Sequence, residues 1–117
     1  MHTTIARNSD VFRRDAEAPW EEAGSGIRRK LLCYGEDIML LRIAFEAGAV
    51  GAPHSHPHVQ CSVVESGAFD VTIAGRTERL RAGDSFIVPS GALHGAVCVE
   101  AGVLVDVFTP MREDFLR

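Results

Sequence analysis

The chain has little positive charge and no long apolar run, and each shortage excludes a class of protein. It carries 12 lysines and arginines against 16 aspartates and glutamates. The net charge of −4 gives no general attraction to phosphate backbones or anionic lipids, so we expect no nucleic-acid partner. No apolar run approaches the roughly 18 residues of a membrane span. Residues 1–10 also lack the apolar core of a signal peptide, so the default expectation is a cytoplasmic protein with no membrane contact.

Cysteine is also scarce, which excludes a small disulfide-stapled fold. Cys33, Cys61 and Cys98 are odd in number and have no framework spacing. We expect all three to be reduced and to serve as small buried side chains. The densest basic run, residues 28–30, is expected to form a solvated strand face.

A length of 117 residues suits one domain and is too short for a second folded unit. No segment sustains the 3.6-residue period of an amphipathic helix. Short apolar blocks are instead separated by turn residues at intervals of about ten, which predicts an all-β sandwich or barrel. The predicted strands are 27–34, 37–46, 58–66, 68–74, 77–81, 84–88, 95–99 and 103–109, with turns between them, among others at 66–67 and 100–102.

The two ends of the chain differ from this pattern. Residues 1–18 have mixed charge and weak periodicity, which predicts an N-terminal arm that is mobile or that orders only against a partner subunit. The folded domain is expected over residues 19–117. Pro110 suits the first position of a helix, so one helical turn is expected near the C-terminus.

Histidines cluster in two glycine-bounded stretches. The first is Gly48-x5-His54-x-His56-x3-Gln60-x6-Gly67, and the second is Gly83-x5-Pro89-x-Gly91-x2-His94. On a strand, His54 and His56 would point to the same side of the sheet, and the even spacing keeps Gln60 on that side. Neutral imidazoles suit Zn²⁺, Ni²⁺, Cu²⁺ and Fe²⁺, and the Gln60 side chain adds an uncharged oxygen ligand.

This pair of motifs resembles the signature of the cupin superfamily, small jelly-roll β-barrels that usually hold a metal ion inside. The resemblance implies that His54, His56, Gln60 and His94 bind one divalent transition metal, which could be Ni, Zn, Mn or Fe. The chain departs from the pattern at Gln60, where the family usually has Glu, and at Cys98, where it usually has Asn. An uncharged ligand set leaves the ion more positive charge for a bound substrate, which favours a Lewis-acid role.

Alternatives at this site stay open. The histidines could be surface loop residues that follow Pro53, or the remnant of a site that no longer binds metal. His58 also fits the even spacing, but its position in the resembled motif is not that of a ligand. We expect His58 to surround the ligands or to face solvent.

A single carboxylate interrupts the apolar strand expected over 103–109. Carboxylates are rarely buried without a partner, because their desolvation is costly. Alternation places Asp106 on the same face as Leu104 and Phe108. If that face points into the barrel, Asp106 is the best general acid and base in the chain; otherwise it points outward from an edge strand. Burial would raise its pKa and a metal would lower it, so the direction of the shift stays open.

Arg112 lies two residues after Pro110, near the expected mouth of the barrel. Its guanidinium would suit a substrate carboxylate through bidentate hydrogen bonds, although an arginine near a chain end is usually a surface residue. The run 101–116, together with 19–21 and 54–58, is similar to the KdgF-type pectin degradation proteins.

This second resemblance implies an enzyme of uronate catabolism. Such proteins open 4,5-unsaturated uronic acid monomers, released from pectin or alginate, to linear 4-deoxy-5-keto uronates. The metal would polarise substrate oxygens, Asp106 would carry a proton or activate water, Arg112 would hold the carboxylate, and Phe108 would pack on the sugar ring. Barrels of this size commonly pair through an edge strand, so we also expect a homodimer.

Two other functions remain possible from the sequence. Many small cupins with histidine-rich sites are Fe-dependent dioxygenases, a reading in which Cys61 or Cys98 near the metal could take part. It predicts oxygen consumption and a requirement for Fe²⁺. A non-catalytic sugar-binding cupin would instead keep its ligand affinity in an Asp106→Asn variant. The barrel fold alone does not choose among these functions, because it hosts many chemistries.

Overall fold

The computed structural model describes residues 7–116, which form one curled, antiparallel eight-stranded sheet. The strands are β1 Trp20–Gly24, β2 Ile27–Gly35, β3 Ile38–Phe45, β4 Val50–His54, β5 Val59–Ile73, β6 Arg76–Arg81, β7 Ser85–Val88 and β8 His94–Thr109. Short 3₁₀ helices span Asp15–Glu17 and Glu113–Leu116. The all-β class and the C-terminal helical turn are therefore confirmed. Within residues 7–116, no helix is long and apolar enough to cross a membrane.

The two longest strands, β5 and β8, pair with each other and run through both halves of the barrel. The strand order is β1-β2-β3-β8-β5-β6, while β4 pairs with β8 and β7 pairs with β5. The first part of β8 lies beside β4 and its second part lies beside β3. In the same way, β5 lies first beside β7 and then beside β6.

The turns predicted at 66–67 and 100–102 are wrong, because both places lie inside continuous strands. The pairing of β5 with β8 shifts register between Val64 and Phe69, so irregular pairing bends the strands without breaking them. Gly67 has a φ of +80°, and a Cβ there would lie 2.5 Å from the Glu100 carbonyl oxygen. Glycine is needed here for the close approach of two backbones, a role that looks like a turn in the sequence.

We expect Gly67→Ala to destabilise the protein by about 2–4 kcal/mol, since alanine adds both left-handed strain and overlap with the β8 backbone. Gly75→Ala is the matched control, because its φ is +86° but a Cβ there meets nothing within 4 Å. Gly75→Ala should lower the free energy of unfolding by the left-handed backbone strain alone, about 1–2 kcal/mol. Urea unfolding at equilibrium measures both variants. Equal losses in the two would show that the close approach at Gly67 does not matter.

Strands β1 and β4 were not predicted from the sequence. Four of the five residues of β1 are exposed, so the segment lacks apolar alternation. β4 contains Pro53, which usually argues against a strand. Proline fits here because, among residues 7–116, β4 has only one partner strand, β8.

The core fills the inside of the barrel in two clusters. The first contains Ile27, Phe45, Ala49, Val64, Phe69, Val71, Cys98 and Leu104. The second contains Leu31, Met39, Leu41, Phe108 and Met111. Cys98 is buried and packs in the first cluster, as expected. The expectation that all three cysteines are buried is wrong for Cys61, which is exposed on the outer side of β5, and only partly met for Cys33.

Residues 7–18 of the predicted arm lie against β2 of the same chain. The Ser9 backbone N–H donates to the Tyr34 carbonyl at 2.9 Å, and Arg13 Nε donates to the Leu31 carbonyl at 3.0 Å. Lys30 Nζ donates to the Asp15 carbonyl at 3.1 Å, which leaves Lys30 6% exposed. The solvated face predicted for residues 28–30 is therefore wrong at Lys30. Residues 1–6 of the arm lie outside the described residues, and the division at residue 18 stays a prediction.

Candidate functional site

Three histidines meet at one end of the barrel. The ligand nitrogens of His54, His56 and His94 all lie within 4.8 Å of one another. His54 ends β4 and His94 begins β8, and their Cα atoms are register partners. A Cβ at Gly95 would lie 2.8 Å from the Gly51 carbonyl oxygen, so glycine allows β4 to approach β8 closely.

His56 reaches this cluster from a loop, so the alternation argument, which assumed that His54 and His56 lie on one strand, does not apply. β4 ends at His54 and β5 begins at Val59. The turn before His94 holds the loop between them, because Gly91 N–H donates to the His56 carbonyl at 2.9 Å and Ser90 Oγ donates to the Pro57 carbonyl at 2.6 Å. The turn in the second motif thus holds the loop of the first motif in place by hydrogen bonds.

Backbone carbonyls set the orientation of all three imidazoles. His54 Nδ1 lies 2.9 Å from the Ala52 oxygen, and His94 Nδ1 lies 2.9 Å from the Ala92 oxygen. His56 Nδ1 lies 3.0 Å from the His58 oxygen. Each carbonyl can only accept, so this network assigns the proton of a neutral ring to Nδ1 and leaves a lone pair on Nε2. Metal-binding histidines are oriented in this way.

Gln60 completes a set of electron-pair donors that fits a cation. Its Oε1 lies 3.2 Å from His56 Nε2, and its Nε2 donates to Ser62 Oγ at 3.0 Å. With the assigned tautomer, two acceptors face each other across 3.2 Å with no proton between them, an arrangement that a shared cation would resolve. His94 Nε2 is also buried and has no hydrogen-bond partner in the described part of the chain. The three histidines therefore form a cluster that can hold a divalent metal, whose identity the geometry leaves open. Gln60 lies beside His56, and its role as the fourth ligand stays a prediction.

Burial keeps two of these imidazoles neutral. It lowers the pKa of His56, with a further contribution from the positive charge of Arg112. It also lowers the pKa of His94, against the opposing hydrogen bond to Ala92. Neutral rings are the form that binds metals, so protons compete weakly for this site near neutral pH.

A cavity of about 250 Å³ adjoins the histidines and is large enough for one small molecule. Its lining is apolar apart from a few converging polar groups, the usual character of a small-ligand site. The polar lining side chains are His54, Gln60, His94, Asp106, Arg29 and Arg112.

Asp106 is buried on the inner face of β8, with Leu104 and Phe108 on either side along the strand. Ser62 Oγ donates to Asp106 Oδ1 at 2.6 Å. Burial raises the pKa of Asp106 to about 6, although the Ser62 hydrogen bond and the charge of Arg112 oppose the shift. The carboxyl group can therefore exchange a proton near neutral pH, as an acid and base must. Its catalytic role stays a prediction.

Ser62 was missed by the sequence reasoning. It accepts from Gln60 and donates to Asp106, so it fixes the amide oxygen of Gln60 toward His56 and links the ligand cluster to the carboxylate. The sequence could have predicted Ser62, because alternation from Gln60 along β5 places Ser62 on the same inner face.

Arg112 and Phe108 both line the cavity. The Arg112 guanidinium carbon lies 5.0 Å from the centre of the Phe108 ring and 4.3 Å from that of Phe115. Its Nε and Nη2 donate to the two carboxylate oxygens of Asp114 at 3.1 and 2.9 Å. The edge of Arg112 that was expected to hold a substrate carboxylate is thus already engaged by Asp114. The predicted roles of Arg112 and Phe108 in substrate binding stay predictions.

Among the described residues, the fourth histidine and the cysteines lie outside the ligand cluster. His58 is half-buried, with its ring 5.6 Å from that of His56, and its carbonyl orients His56. Cys98 lies in the apolar core and Cys61 is exposed. Among residues 7–116, the only side-chain cluster suited to a metal is that of the three histidines.

Comparison with known proteins gives consistent matches. Residues 41–108 match the family described as "Cupin domain". The chain is 43% identical over 104 residues to the pectin degradation protein KdgF of Dickeya dadantii, covering 87% of this chain and 94% of that one. An RmlC-like cupin from Shewanella frigidimarina superposes with a TM-score of 0.92 at 41% identity, covering 94% and 99% of the two chains. KdgF from a Halomonas species gives a TM-score of 0.87 at 38% identity, covering 92% and 99%.

Proposed function

The chain belongs to the cupin domain family, and from that premise we propose that it is a metal-dependent enzyme of pectin or alginate breakdown that opens 4,5-unsaturated uronate monomers to linear 4-deoxy-5-keto uronates. One observation carries the proposal: a buried carboxyl group with a pKa of about 6 and a cluster of metal-ligand donors face the same small cavity. The pectin degradation protein of Dickeya dadantii, to which the chain is 43% identical, points to the substrate class.

The proposed reaction is an isomerisation, so it needs no second substrate. The proton of the C1 hydroxyl leaves, the bond from C1 to the ring oxygen breaks, and C1 becomes an aldehyde. The ring oxygen keeps the electron pair as an enolate at C5. The enolate then collapses to a ketone at C5 while C4 gains a proton, so one proton is lost and one is gained, and no electrons enter or leave.

Asp106 is suited to move these protons. Its Oδ1 accepts from Ser62, whereas its Oδ2 makes no hydrogen bond to any described residue and is free to meet substrate. With a pKa of about 6, neither the acid nor the carboxylate is rare at neutral pH. Such a group lowers the barrier both as a base at the hydroxyl and as an acid at C4.

The other cavity residues would bind and orient the sugar. Phe108 offers part of its ring as an apolar wall, held by the His56 ring at 5.4 Å. Arg112 contributes positive charge beside the substrate carboxylate through the hydrogens that Asp114 leaves free. A metal held by His54, His56, Gln60 and His94 would supply Lewis-acid polarisation of a substrate oxygen.

The test is the loss of the absorbance of the conjugated uronate when metal-loaded protein meets unsaturated galacturonate monomer. We expect a first-order decay far above the spontaneous rate, with the linear keto acid as the product by NMR. Metal-stripped protein should show only the spontaneous rate. A wild-type rate equal to the spontaneous one, with the sugar still bound, would replace the proposal with a sugar-binding role. The expected homodimer and cytoplasmic location also stay predictions.

A further inference from the structure

A second arginine, Arg29, lies in the wall of the cavity. It lies near the start of β2, where alternation points Ile27, Arg29 and Leu31 into the barrel while Arg28 points out. Arg29 is the register partner of Ile43, which also lines the cavity. The basic run that looks uniform in the sequence therefore places one of its guanidinium groups in the wall of the cavity.

The side chain of Arg29 makes no hydrogen bond to any described residue. This holds for its Nη groups and for its Nε, which is buried. The nearest carboxylate, Glu21, lies 3.5 Å from Nε and is 41% exposed. A guanidinium whose side chain is only 20% exposed loses much of its hydration, so an anion that pairs with it would be bound favourably.

Phe115 holds both cavity arginines on one side of the pocket. The guanidinium carbon of Arg29 lies 4.0 Å from the centre of this ring, and that of Arg112 lies 4.3 Å from it. Stacking on a ring leaves the edge of a guanidinium free to donate in its own plane. Asp114 occupies that edge in Arg112, but no described residue occupies the Nη edge of Arg29.

We propose that Arg29 binds the carboxylate of the substrate through its Nη groups and so sets the preference for uronates over neutral sugars. The inference rests on the proposed function for the identity of the substrate. The ligand it predicts, a small sugar acid, follows from a guanidinium that lines a cavity of about 250 Å³ and whose Nη groups make no hydrogen bond to any described residue.

Two sugars that differ only in the carboxylate test this role without turnover. Calorimetry on metal-loaded protein would compare galacturonate, which is saturated and unreactive, with galactose. We expect the wild type to prefer galacturonate. Arg29→Gln should weaken galacturonate binding about 10- to 100-fold and leave galactose within about twofold, because only charge-assisted hydrogen bonds are lost. For the unsaturated substrate, KM should rise by the same factor with little change in kcat.

Arg28→Gln is the matched control, since its guanidinium lies outside the barrel, 4.9 Å from the Trp20 ring. It should change neither sugar's affinity. Arg29→Lys should restore part of the preference for galacturonate. If Arg29→Gln does not fold, the two sugars are compared in Arg29→Lys instead. An unchanged galacturonate affinity, an equal loss for both sugars, or a wild type without preference would overturn the proposal. A wild type that prefers galacturonate but turns over no unsaturated uronate would refute the proposed function alone.

Discussion

An Asp106→Asn variant is expected to lose about 10²- to 10⁴-fold in kcat, the usual contribution of a general acid or base. Asparagine keeps the size of the side chain and can still hydrogen-bond to Ser62, but it cannot give or take a proton near neutral pH. Metal content and galacturonate affinity should therefore stay close to those of the wild type. Absorbance decay at saturating substrate measures kcat, and elemental analysis measures the metal.

Asp70→Asn provides the control for this loss. Asp70 lies on β5, where its carboxylate pairs with Arg79 at 2.8 Å outside the cavity. Its removal should leave kcat unchanged. If Asp106→Asn retained wild-type kcat, Asp106 would not be the proton carrier. If it lost metal in parallel with activity, its role would be to hold the ligand cluster through Ser62.

The same variant should be more stable than the wild type at high pH when metal is absent. Burial raises the pKa of Asp106 to about 6, while an aspartate in the unfolded chain titrates near 3.9. Between these values the folded protein binds more protons, so its stability falls as pH rises from about 4 to about 6 and stays low above that. The resulting loss in the free energy of unfolding is at most about 3 kcal/mol. Urea unfolding in chelator should show the advantage of the variant at pH 8 and not at pH 4.

The cluster of three histidines could be predicted from the sequence because their spacing follows a family pattern. The reasoning from strand alternation was less sound, since His56 lies in a loop. Its place in the cluster depends on backbone hydrogen bonds from the turn at Ser90 and Gly91, which no periodicity records. At Asp106 alternation was sufficient, because β8 is regular there and pairs on both sides.

The rest of the site depended on contacts between distant segments. Arg29 sits between two other basic residues, and only the pairing of β2 with β3 decides which of the three faces the cavity. The pairing of Arg112 with Asp114 is local in sequence. Which edge of the Arg112 guanidinium stays free to bind a ligand also depends on the position of the Phe115 ring. The sequence shows only that position 67 is a glycine. The close approach of the β8 backbone explains why a glycine is needed there.

Loss of the metal should have the other large effect, and His94→Ala tests it. His94 Nε2 is buried and unpartnered, so its lone pair serves nothing else among the described residues. We expect metal affinity to fall by at least about 100-fold, with kcat falling to that of chelator-treated wild type. At a metal concentration 100 times its dissociation constant, the wild type gains about 2.7 kcal/mol of stability, whereas a 100-fold weaker variant gains about 0.4 kcal/mol. Metal titration by calorimetry and unfolding with and without metal measure both quantities.

His58→Ala separates ligation from a general effect of removing an imidazole in this region. His58 is half-buried beside His56, but its contribution to the cluster is its backbone carbonyl, which alanine retains. Metal affinity and the stability gained on binding should therefore survive in this variant. Equal losses in His58→Ala and His94→Ala would mean that the loop, and not the Nε2 lone pair, governs binding. An unchanged affinity in His94→Ala would remove His94 from the ligand set and leave its buried nitrogen without a function.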